Sequence, residues 1–121
     1  KVQIVHEYGL LDRKLFGPYC RLGVECPKHK RIGFHSGEVA YHLIPQMRGD
    51  AARFVPANIV WACGAANQGE RLNRSLYREK HIKVFGLDRI LKIEEIARGT
   101  ADFSTADLLE KLREVRVLLR A

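Results

Sequence analysis

A chain of 121 residues, 46% hydrophobic and 29% charged, is long enough for one folded domain and too rich in apolar residues for a disordered one. Apolar runs span only a few residues, which argues against a transmembrane helix. The formal net charge of +7 fits either simple solubility or a polyanionic partner, for which Lys and Arg gain affinity by releasing counterions from phosphate.

Three cysteines, an odd number, disfavour a closed disulfide framework and fit a reducing, cytoplasmic setting. No signal-peptide pattern opens the chain, and the missing initiator Met leads us to expect a piece of a longer protein.

In residues 1–19, Val2 and Ile4 alternate briefly, and Leu10, Leu11, Leu15 and Phe16 suit one side of a short helix that Gly17-Pro18 ends. His6 reads as a surface residue. Next, Cys26-Pro-Lys-His29 has the C-x-x-H spacing with which two side chains of one tight turn reach one tetrahedral ion. With Cys20 and Cys63 this makes a candidate Cys3His site for a structural zinc; the alternative is that the thiols are buried core residues and His29 a loop residue. Residues 31–35 and 38–44 alternate on either side of Ser36-Gly37 and predict a hairpin. Alternation puts Val39, Tyr41 and Leu43 on one face, with Glu38, Ala40, His42 and Ile44 on the other. Residues 46–57 form a loop in which Arg48 and Arg53 are candidate phosphate contacts or simply solvated.

Residues 58–63 predict a short buried strand, and 64–85 a helix that Gly86 closes, with Leu72, Leu76 and Ile82 on its apolar side. Asn67 falls in its first turn, where a short polar side chain is commonly an N-cap. A further helix over 87–99 has Asp88 as its cap and Ile90, Leu91, Ile93 and Ile96 as its buried side. The last, over 104–120, opens on the capping-box pattern Ser104-Thr-Ala-Asp107. Its stripe Leu108, Leu112, Val115 and Leu119 suits either a core face or a homodimer seam.

His42 at a strand end, Arg53-Phe54, Asn58, Cys63, Asn67, Tyr77 and Gly86 follow one another in an order that resembles the HNH endonucleases, and among them the phage NinG-type recombination proteins. The resemblance covers about residues 20–86; residues 87–121 would be a helical extension. It implies an α+β domain with a ββα-metal core, hydrolysing phosphodiester bonds of DNA, with branched or recombination intermediates as substrates. In that reading His42 is the general base, Asn58 pins the loop that orients it, and Asn67 binds Mg²⁺ or Mn²⁺. Arg48, Arg53, Arg71 and Arg74 would hold the phosphate backbone. Many members bind a structural zinc through two C-x-x-C pairs; here the second pair is broken after Cys63. Many also place an Asp just before the first His as a second metal ligand; here that residue is Tyr41, with Glu38, Glu70 or His81 as candidate substitutes. The alternatives are a catalytically degenerate HNH-like DNA-binding module and a zinc-stabilised interaction domain.

Overall fold

The computed structural model describes residues 2–44, 51–99 and 103–121, which form an α+β fold of six helices and a two-stranded antiparallel sheet. The whole stretch Val2–Phe16 is a single helix, α1, so the alternation of Val2 and Ile4 does not make a strand. Its buried residues Ile4, Tyr8 and Asp12 recur at four-residue intervals, the spacing of one helix face, while Leu15 and Phe16 are exposed. Gly17, at φ 93°, takes the left-handed conformation that ends it.

The expected hairpin over 31–44 does not form. Residues Pro27–Ile32 are a short helix, α2, with Pro27 at its first position, and Gly33 at φ 73° turns the chain out of it. Strand β1, Val39–His42, pairs instead with β2, Ile59–Ala62, in the register Tyr41↔Val60 and His42↔Ile59. Local alternation marks a strand but does not choose its partner, and the more apolar Ile59–Ala62 offers the better burial.

The sheet separates two cores. Tyr41, Val60 and Ala62 face Cys20, Leu22, Cys26, Cys63, Ala66, Ile90 and Ile93. Ala40 and Ile59 face Ile4, Tyr8, Leu108, Val115 and Phe54. α1 crosses the second face so closely that a Cβ on Gly9 would lie 2.6 Å from the Ala40 Cβ.

Asp12 fastens α1 to the sheet from within. Its buried carboxylate accepts the Trp61 backbone N–H at 2.9 Å and the Arg21 guanidinium at 3.1 Å. Asp12→Ala leaves a buried N–H and a half-buried cation without their acceptor, and we expect a loss of about 2–4 kcal/mol in urea unfolding. A variant within 0.5 kcal/mol of the parent, on the order of measurement error for neutral surface changes, would show that the hub is dispensable.

After β2 the expected single helix over 64–85 is two. α3, Gly64–Leu72, and α4, Arg74–Phe85, meet at Asn73, whose extended backbone (φ −149°, ψ 83°) stops the first and whose side chain caps the second through the Leu76 N–H at 3.2 Å. The break leaves Leu72 and Leu76 exposed rather than on a buried side. Gly69 then sits beneath Tyr77, where a Cβ would collide with the phenol oxygen. Gly86 ends α4, as expected.

α5, Leu87–Arg98, buries Ile90 and Ile93; Leu91 and Ile96 are exposed, and Asp88 makes no cap hydrogen bond. Arg89 ties α5 to the Ala57 carbonyl at 2.7 Å. α6, Thr105–Arg120, carries the complete capping box of Ser104 and Asp107. Its stripe packs within the chain, Leu108, Leu112, Val115 and Leu119 joining the core that α1 lines. No helix among the described residues is long and apolar enough to cross a membrane.

A candidate metal centre beside a candidate active site

Four side chains from three segments meet at the first core. The sulfurs of Cys20, Cys26 and Cys63 and a ring nitrogen of His35 all lie within 4.8 Å of one another, and all four residues are buried. The Cys26 sulfur is 3.4 Å from that of Cys63 and 3.5 Å from His35 Nε2. Ligands at zinc bond lengths stand about 3.3–3.8 Å apart on the edges of a tetrahedron, so these separations fit one metal ion such as zinc.

The fourth ligand corrects the sequence reading: it is His35 and not His29. Cys26 is the N-cap of α2 and points inward, whereas His29 lies one turn on, its ring edge-on to Phe34 with centroids 5.0 Å apart. His35 reaches the thiols because the chain returns past Cys20, joined by the Cys20 N–H to the His35 carbonyl at 3.0 Å. His35 Nδ1–H donates to the Gly33 carbonyl at 3.3 Å, which leaves the Nε2 lone pair aimed at the sulfurs. Burial pushes the Cys26 thiol up to about 12, the neighbouring Cys63 adding to it, and raises Cys20 as well. Without a cation Cys20 and Cys26 therefore stay neutral thiols, and a bound metal would release their protons. Cys63 also caps α3, its sulfur accepting the Ala66 N–H at 3.4 Å, so the centre fixes the start of that helix.

β1 ends on His42, on the sheet face opposite Tyr41. Half-buried, His42 donates from Nε2 to the Arg53 carbonyl at 3.0 Å. A proton held at Nε2 leaves Nδ1 as the basic nitrogen. Burial lowers its pKa, and the Arg53 guanidinium lowers it further against the opposing pull of the carbonyl contact, so the ring is neutral at pH 7.

Asn58 closes the 3₁₀ turn Pro56–Asn58 and is fully buried. Its amide accepts the Ile44 N–H at 2.7 Å and donates to the Ile44 carbonyl at 3.0 Å and the Ala52 carbonyl at 3.1 Å. One side chain thus ties together both ends of the segment that begins after β1. Among the described residues the Asn58 side chain hydrogen-bonds to backbone groups, and Arg53, whose carbonyl holds His42, is its near neighbour in the chain.

Tyr41 is closed off from any such site. It points into the first core, where its hydroxyl and His81 Nε2 share a hydrogen bond of 2.6 Å. Of its candidate substitutes as a metal ligand, His81 is thereby engaged, Glu38 lies 3.5 Å from Lys28, and buried Glu70 lies 3.8 Å from Arg74. Burial raises the Glu70 pKa against the opposing Arg74 and Arg71 charges. Asn67 is half-buried one turn into α3, and the cap is Cys63, so the Asn67 amide is not the N-cap. Arg71 and Arg74 are exposed, Arg53 is half-buried with its guanidinium 5.3 Å from the Phe54 ring centre, and Arg48 lies outside the described residues.

The Tyr41–His81 pair went unread in the sequence, since neither residue sits in a recognisable spacing. Burial lowers the His81 pKa to about 4. Above pH 6.5 neither folded nor unfolded chain protonates this ring. Between pH 6.5 and about 4 the unfolded chain takes up a proton that the folded chain refuses, so stability falls with pH through that window, by about 3 kcal/mol in all. We expect His81→Gln to remove that share of the acid destabilisation, read as the difference between variant and parent urea midpoints at pH 7 and pH 4.5. Parallel midpoints at both pH values would count against it.

No protein-family model, curated protein or solved structure matches this chain.

Proposed function

We propose that this chain is an HNH-type, metal-dependent endonuclease domain acting on DNA, with a zinc-filled Cys20–Cys26–His35–Cys63 centre as its structural support. The observation that carries the reading is the paired restraint at the end of β1: Asn58 holds the backbone at Ile44 and Ala52, and the Arg53 carbonyl holds His42 with Nδ1 free to act as a base. A neutral imidazole held this way keeps Nδ1 as a basic nitrogen, which a general base requires. The order β1, β2, α3 and the nine-residue step from Asn58 to Asn67 support the same reading along the chain, although His42 leaves the sheet on the face opposite the one that Cys63 and Ala66 at the start of α3 pack on.

His42 would take the proton of the attacking water. Asn67 would hold the divalent ion through its amide oxygen, with water and substrate phosphate completing the shell, the arrangement Mg²⁺ accepts and Mn²⁺ can share. Such an ion stabilises the charge that develops on the leaving oxygen. Tyr41 contributes no ligand, so ion binding depends on substrate more than in a site with a carboxylate there. Arg53, Arg71 and Arg74, with Arg48, are the proposed phosphate contacts, which position the strand without reading bases.

Nicking of supercoiled plasmid and cleavage of a labelled branched DNA in Mg²⁺ or Mn²⁺ test the proposal. Cutting that requires the ion and vanishes in His42→Ala supports it. Absence of cutting with salt-sensitive DNA binding intact would leave a DNA-binding module in its place.

A further inference from the structure

We infer that Tyr19 and Phe34 form a stacking platform for unpaired bases of a single-stranded nucleic acid. The inference rests on the nucleic-acid half of the proposal above and is independent of cleavage. The two rings are 56% and 72% exposed, with centroids 6.3 Å apart and planes at 59°. Large apolar surface left in water at two adjacent sites is a cost that a partner's burial would offset.

The rings are rigidly placed. Tyr19 bridges to Ser36 as an isolated antiparallel pair, with the Gly37 N–H on the Pro18 carbonyl at 2.7 Å and the Cys20 N–H on the His35 carbonyl at 3.0 Å. Tyr19 and Phe34 are thus the chain neighbours of Cys20 and His35, which point inward to the metal centre. Phe34 is further braced by the edge of His29, 5.0 Å away. A pre-formed platform orders little on binding, so contact area converts more fully into affinity.

Charge identifies the occupant. From Cys26 to Gly37 the chain holds Lys28, Lys30 and Arg31 and no Asp or Glu, and Lys30 and Arg31 are exposed and make no ion pair among the described residues. Two exposed aromatic rings, one of them three and four residues along the chain from the exposed Arg31 and Lys30, suit a strand that presents both bases and phosphates. A duplex hides its base faces within its own stack and offers the rings nothing, so the partner is unpaired.

The test is anisotropy of a labelled oligo-dT and of a duplex of equal length, titrated with the zinc-loaded chain without added Mg²⁺. We expect the double variant Tyr19→Ala/Phe34→Ala to bind the single strand about tenfold more weakly, the equivalent of one lost stacked base, and the duplex within about twofold of the parent. Phe34→Trp should restore single-strand affinity to Phe34-containing levels or better. Lys30→Gln with Arg31→Gln should reduce the slope of log affinity against log salt by about 1.4 on the single strand. Zinc content and melting should not move, because all four residues are exposed.

Unchanged single-strand affinity in the double variant overturns the inference. So does equal loss on both forms, or a parent chain that binds neither, in which case the rings serve a protein surface. Loss of single-strand affinity in a chain that cuts no DNA would retain the platform and reject the nuclease; cutting with an inert platform would do the reverse.

Discussion

If the Cys20–Cys26–His35–Cys63 cluster holds zinc as proposed, Cys63→Ser is expected to abolish stoichiometric zinc binding and to unfold the chain well below the temperature of the parent. The substitution is chosen because Ser keeps the N-cap of α3, a position where Ser is among the best residues, so the lost cap contributes nothing to the effect. What is removed is the thiolate that closes the group formed with Cys20, Cys26 and His35. Structural zinc in small domains supplies an apparent binding free energy of about 10–16 kcal/mol, all of it folding free energy when the unfolded chain has no site. Here the site joins the segment before α2, the return at His35 and the start of α3, which the small first core would otherwise hold alone. We expect zinc affinity to fall more than about 100-fold, the upper range for losing even an outer partner of a ligand. Metal analysis by mass spectrometry and thermal unfolding check it. A Cys63→Ser chain with one equivalent of zinc and an unshifted melt would mean that the thiols are plain core residues. His29→Ala is the matched control and should retain zinc, since His29 packs on Phe34 outside the cluster.

His42→Ala is expected to lower DNA cleavage by about 10²–10⁴-fold, the usual contribution of a general base, with far-UV circular dichroism unchanged. The side chain is only half-buried and its one hydrogen bond is to a carbonyl that water can solvate instead, so stability should change little. The pH–rate profile separates a base from a structural residue. Burial holds the His42 pKa below 6.5, so the parent's rate should rise with pH on a limb centred below 6.5 and level off by neutrality. The residual rate of the variant should lack that limb. Cutting by His42→Ala at the parental rate would place the base elsewhere. Asn67→Ala should raise the Mg²⁺ concentration needed for half-maximal cutting while leaving DNA affinity measured without metal intact.

Some of this was legible one residue at a time. The capping box at Ser104 and the stripe from Leu108 to Leu119 sit in a single helix and depend on neighbours three and four residues away, so their pattern is local. The same holds for the alternation that put Tyr41 and His42 on opposite faces. The three cysteines of the metal centre were also named in advance.

Other features required the chain to return on itself. The C-x-x-H spacing from Cys26 pointed to His29, but the His29 ring packs on Phe34 outside the cluster, and the candidate ligand comes from beyond the turn at Gly33. The partner of β1 lies seventeen residues downstream of His42 and not in the adjacent segment, because burial chooses between strands that look equally regular locally. The break at Asn73, the engagement of Tyr41 by His81 and the Asp12 hub are likewise contacts between distant residues. The sequence by itself determined the α+β class, the positions of β1, β2 and α6, and the three cysteines of the cluster, but neither His35 nor Asp12. Only the tertiary structure decided which of them meet, since a metal centre, a buried hydrogen bond or a strand pair is a distance in space that spacing along the chain does not encode.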